Sequence, residues 1–185
     1  MRMMPPVRTQ VHPAVLGIFL SLSACGIDQF DDTIVDETTI PAASFTQSLF
    51  SPPFGAGLSN LDLSKSQSFE NNGVTPSDVD SITVKSIRLE VSTGSANLDR
   101  IDVYLSKVTF WVEAPGQARQ VIGEKSVFPM AAAVELEIPK VELKPYATAA
   151  AMTVGADLTP KTQPAVNVKL KSTITIHVDV NLAGI

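Results

Sequence analysis

The sequence predicts an all-β fold, an antiparallel β-sandwich with the immunoglobulin-like arrangement as one candidate form. Three observations carry this. Residues 166–182 alternate apolar and polar side chains with a period of two. Two further stretches, starting at Ile82 and Ile101, alternate in the same way. Turn signals rich in Pro, Gly and Asn separate the alternating runs.

Taken along the chain, the first clear signal is Ser51-Pro52-Pro53-Phe54-Gly55-Ala56-Gly57, a loop. Its Gly55-x-Gly57 is not a phosphate-binding loop, because no G-K-[ST] follows. Phe45, Leu49, Phe50, Phe54, Leu58 and Leu61 surround this loop and read as a first strand or an arm over the sheet. Asn71-Asn72-Gly73 is a turn. Thr75-Pro76-Ser77-Asp78 then supplies an N-cap, a proline at the first helical position and an acid in the first turn, so one short helical turn is expected near 75–80.

Ile82 and Val84 share one parity, whereas Ile87, Leu89 and Val91 share the other. The same change recurs between Ile101, Val103, Leu105 and Val108, Phe110, Val112. A strand with one buried face changes parity only by taking in an extra residue. β-Bulges are therefore expected at Lys85-Ser86 and Ser106-Lys107, the alternative being pairs of short strands joined by tight turns. Pro115-Gly116 marks a turn, and Gln120–Gly123 a short strand. Val134, Leu136 and Ile138 alternate until Pro139 interrupts, which predicts an edge strand or a strand end. Residues 148–156 are open to either helix or strand. The last run, 166–182, would span roughly 55 Å as one strand, so a bend or break near Lys171-Ser172 is expected.

The N-terminus has a different character. Arg2 and Arg8 precede an apolar run from Ala14 to Leu22, and Leu22-Ser23-Ala24-Cys25 follows directly. The run is well short of the roughly 20 residues that cross a bilayer. Leu22-Ser23-Ala24-Cys25 resembles the lipobox of bacterial lipoprotein signal peptides, and all four positions match. The resemblance implies that residues 1–24 are a removed signal peptide. It also implies that the Cys25 thiol carries a diacylglycerol, and that its new amino group is acylated by a chain such as palmitate. In enteric-type Gram-negative lipoproteins an Asp after the cysteine favours the inner membrane; Gly26 stands there here, which implies the outer membrane. The remainder is similar to uncharacterised Gram-negative envelope lipoproteins, in which an acidic tether precedes a stretch like Asn71-Asn72-Gly73-Val74-Thr75 and β-rich sequence.

Three segments follow from this reading: the signal peptide 1–24, a lipidated acidic tether 25–43, and a β-sandwich domain 44–185. Between Gly26 and Ser64 there are six acids and no base. Like charges extend such a linker. Asp28, Asp31 and Asp32 lack the alternating spacing of an EF-hand loop. Loss of the signal peptide leaves 12 basic and 19 acidic residues, a balance that suits neither nucleic acid nor anionic lipid surfaces. With Cys25 as the lone cysteine, the folded part has no disulfide.

Little in the sequence points to catalysis. His177 is the one histidine outside the signal peptide, and it shares a strand face with Thr175 and Asp179. A base beside an acid could form a dyad, but no G-x-S-x-G elbow and no H-E-x-x-H zinc motif accompanies it. A solvent-facing histidine near an aspartate is the favoured reading. Trp111 and Tyr104 lie opposite in parity to their apolar neighbours and read as semi-buried packing or an outward aromatic patch. The expectation is a non-enzymatic, lipid-anchored binding or structural module without cofactor or metal. Its partners are the membrane, through Cys25, and another envelope protein. A carrier of a small apolar ligand is the alternative.

Overall fold

A computed structural model describes residues 28–42, 62–93, 100–149 and 151–181 of the chain. Seven strands form two antiparallel sheets: β1 (Gln29–Ile40), β2 (Val79–Thr93), β3 (Leu105–Ala114), β4 (Gln117–Lys125), β5 (Ala133–Glu135), β6 (Thr153–Pro160) and β7 (Val168–Val180). The larger sheet has the order β1-β7-β2-β5, and the smaller has β4-β3-β6. Their inner faces share one apolar core, which includes Ile87 and Leu89 of β2, Val108 and Phe110 of β3, and Ile174 and Ile176 of β7. The contact is close. A Cβ on Gly123 of β4 would come within 2.7 Å of Ile87 Cδ1 on β2, so glycine is what lets the layers approach there.

Among the described residues the four-plus-three strand count is that of an immunoglobulin constant-type sandwich, but the strand order is not. Here the final strand lies between β1 and β2 in the larger sheet. The chain crosses between sheets after β5. Glu137 bridges to Glu124 of β4, and Glu142 bridges to Thr83 of β2. Pro139 stands between these two bridges and ends strand pairing, as its missing N–H requires.

β7 organises the larger sheet. Its even residues from Val168 to Val180 are all buried. No break occurs at Lys171-Ser172: β7 pairs with β1 from Val168 to Asp179 without a register shift. The irregularities fall on β2 instead, whose register shifts at Asp80, Lys85 and Ser92. Extra residues on β2 absorb the strain of a long twisted pair and leave β7 continuous. Ser172 is fully buried but satisfied, because its hydroxyl donates to the Asp36 carbonyl at 3.3 Å. The expected bulges at Lys85 and at Ser106 are both present, the second as a shift of β3 against β6.

The segment expected as a tether is a strand. All twelve residues of β1 pair with β7, so the sandwich includes residues 29–40 and does not begin at 44. Its inner face reads Phe30, Asp32, Ile34, Asp36, Thr38, Ile40. Two acids and a threonine interrupt the apolar alternation, which hides the strand from a periodicity reading. Inward-pointing charges are a known way to keep an edge strand from pairing with other chains. Asp32 is compensated, since Oδ1 accepts from the Ser68 hydroxyl at 2.8 Å and from the Thr33 N–H at 2.9 Å. Phe30 packs edge-on against Phe69, with ring centroids 5.2 Å apart. The signal peptide, Cys25 and the Phe-rich stretch 45–61 lie outside the described residues.

Short helices close the ends. α1 (Gln67–Asn72) starts at Ser66, whose hydroxyl accepts from the Phe69 N–H, and stops at Gly73 in the left-handed region at φ 64°. Asn71-Asn72-Gly73 alone predicts a turn; the helix before it is an addition of the structure. The helical turn expected near 75–80 is a 3-10 turn, Pro76–Asp78, in which the Asp78 carboxylate accepts from the Thr75 N–H at 2.8 Å. α2 (Ile101–Tyr104) replaces the start of an expected strand. Ile101 and Tyr104 stand three residues apart, so one helical turn buries both. Three alternating residues cannot distinguish these outcomes. α3 (Lys144–Ala147) precedes β6, which places the ambiguous stretch after Met152 in a strand.

Candidate functional site

The most organised polar array lies on the outer face of the larger sheet. β7 projects His177 and Asp179 outward, at odd positions of its alternation. Antiparallel register sets Asp31 of β1 opposite His177, and Thr83 of β2 on its other side. The His177 Nδ1 lies 2.8 Å from Asp31 Oδ1, and Nε2 lies 3.4 Å from Asp179 Oδ1. The Lys85 ammonium, lifted at the β2 bulge, pairs with the other Asp31 oxygen. The Ser81 hydroxyl donates to Asp179 Oδ2 at 2.6 Å. The Lys85 ammonium first, and the His177 ring second, hold the Asp31 carboxyl below its ordinary value.

The sequence reading paired His177 with Asp179, and the structure keeps them adjacent. The nearer partner is Asp31, which lies in the segment whose acidic composition resembles a linker. Pairing between strands distant in sequence leaves no local signal; only the outward parity of Asp31 is visible once β1 is known.

The chemistry of this array is limited by its geometry. The two carboxylates address opposite ring nitrogens, so they do not converge on one point as metal ligands would. Among the described residues no group of three His, Cys, Asp or Glu side chains could hold a metal ion. The Ser81 hydroxyl is bonded to the carboxylate and not to the ring. A nucleophile activated by imidazole needs the reverse order. What the array does is tie three neighbouring strands together across their outer face.

Tyr104 and Trp111 separate in the structure. Tyr104 is buried in the core. Trp111 lies on the outer face of the smaller sheet, opposite Gly155 of β6. A Cβ on Gly155 would fall inside contact distance of the indole, so the ring occupies the space the glycine leaves. The Arg119 guanidinium covers the other face, 3.6 Å from the ring centroid, and is held by Glu113 at 3.0 Å. With both faces covered, the indole is not an open stacking platform.

The apolar pocket beneath α1, lined by residues including Leu63, Phe69, Val79 and Ile82, has a cavity volume of about 10 Å³. Small-molecule sites typically occupy roughly 300–1,000 Å³. Larger hollows flank the crossing segment at Ile138–Val141 and are open to solvent.

Neither a scan against protein-family models nor a search of the curated proteins gives a match. Among solved structures, the chain is similar to a decameric BFDV capsid protein, with a TM-score of 0.36 and 9% identity over 81% of this chain and 98% of that one. It is also similar to a 60-mer BFDV capsid protein, with a TM-score of 0.35 and 11% identity over 83% of this chain and 93% of that one.

Proposed function

We propose that this protein is a lipid-anchored, non-enzymatic module of the bacterial cell envelope, acting as a binding or structural element for another envelope component. The observation that carries the reading is Leu22-Ser23-Ala24-Cys25 directly after the short apolar run of Ala14–Leu22. Acylation of Cys25 would supply two or more chains, and two membrane signals suffice for stable anchoring where one does not. The outer membrane is the proposed location, from Gly26 after the cysteine. The described polar array favours a cohesive role over a reactive one, since Ser81, His177 and Asp179 are not arranged for nucleophilic attack.

The test is fractionation and crosslinking of envelopes from cells expressing the full chain or Cys25→Ala. The expected outcome is release of the variant from the membrane fraction, with loss of a protein crosslinked to the parent chain. Retention of the variant in the membrane with every crosslink intact would overturn the reading.

A further inference from the structure

The first residue of the described fold stands close to the proposed anchor. The carbonyl of Asp28 accepts from the Val180 N–H at 2.8 Å, so the chain is pinned to β7 from that point. Two residues separate Cys25 from Asp28, and covalent geometry limits the three Cα–Cα steps between them to about 11 Å in any conformation. β7, which runs the length of the larger sheet, has 13 residues and spans about 40 Å. The leash is thus much shorter than the body it holds.

Register fixes which groups share each end. Asp28 and Val180 lie together with Val79, the 3-10 turn Pro76–Asp78 and, through an Asn181 N–H to Asp78 carbonyl bond of 2.8 Å, the end of β7. The opposite end holds Ile40, Val168 and Ala132, whose carbonyl accepts from the Val91 N–H. That far end carries the exposed apolar side chains Met130 (76% exposed) and Val166 (43%), with Val127 (77%) on the same loop as Met130.

We propose that the sandwich stands end-on, with the end formed by Asp28 and Pro76–Asp80 against the lipid headgroups and the 126–132 loop pointing away. The inference rests on the acylation of Cys25 proposed above. Asp28, Asp78 and Asp80 lie at the near end, so it does not insert, and the short leash, not charge attraction, holds it at the headgroup layer.

The test uses the full-length protein purified with its anchor and reconstituted in phosphatidylethanolamine–phosphatidylglycerol vesicles. An acylated Cys25 has no free thiol, so Ser77→Cys and Met130→Cys each offer a single site for a fluorescent donor, with acceptors on the lipid headgroups. The expected result is strong energy transfer from position 77 and several-fold weaker transfer from position 130. Inserting about 20 Gly and Ser residues after Gly26, a flexible spacer of about 25 Å, should reduce the difference. One label per chain with equal transfer from both positions, or with stronger transfer from 130, would overturn the end-on arrangement and leave the anchor intact. Labelling of Cys25 in the parent chain would overturn the anchor, and the arrangement with it.

Discussion

Asp31 shows how one side chain joins parts of the chain far apart in sequence. It receives the Lys85 ammonium on one oxygen and the His177 ring on the other, and both partners favour its charged form. A carboxyl held below its ordinary value of 3.8 contributes stability above that pH and loses it as the pH falls. Asp31→Asn should therefore lower the thermal midpoint at neutral pH, with the gap to the parent chain closing below about pH 3.8. Melting curves across that range check this; a gap that stays constant would contradict it. Trp111 yields a second prediction at this scale. Gly155→Ala forces the indole off its seat and should cost about 1–3 kcal/mol in chemical denaturation. A neutral effect would mean that the ring does not pack on this glycine.

At the scale of elements, β1 is the sharpest distinction between a tether and a strand. Ile40 is 1% exposed on its inner face, so Ile40→Ala should cost about 2–5 kcal/mol. A residue in a solvated linker would cost nothing measurable. The bulges make a different prediction. Deleting Ser106 removes the extra residue that lets Leu105 and Val108 both face the core, so the deletion should prevent folding while Ser106→Ala is tolerated. Circular dichroism and solubility of the two variants separate these outcomes. Both bulges were legible because a parity change in an apolar pattern has few physical causes. β1 was not, because Asp32 and Asp36 occupy inward positions that an alternation rule assigns to apolar residues. α2 was not, because Ile101 and Tyr104 satisfy a helical turn as well as Ile101 and Val103 satisfy a strand. In the polar array, His177 and Asp179 were visible as neighbours on one strand face, whereas Asp31 depended on a pairing across 146 residues.

For the molecule as a whole, β1 sets how far the fold can stand from the anchor proposed at Cys25. An 18-residue acidic spacer would let the sandwich roam; a strand starting at Gln29 leaves it on a leash of a few residues. Cohesion then comes from the shared apolar core and from polar contacts such as those around His177, because a chain with one cysteine has no internal disulfide. The most direct check of the central claim is mass spectrometry of the mature N-terminal peptide, isolated from envelopes of cells making the unaltered chain. The account predicts a peptide that begins at Cys25 and carries diacylglycerol on sulfur. A peptide containing residues before Cys25, or one with an unmodified thiol, would contradict it.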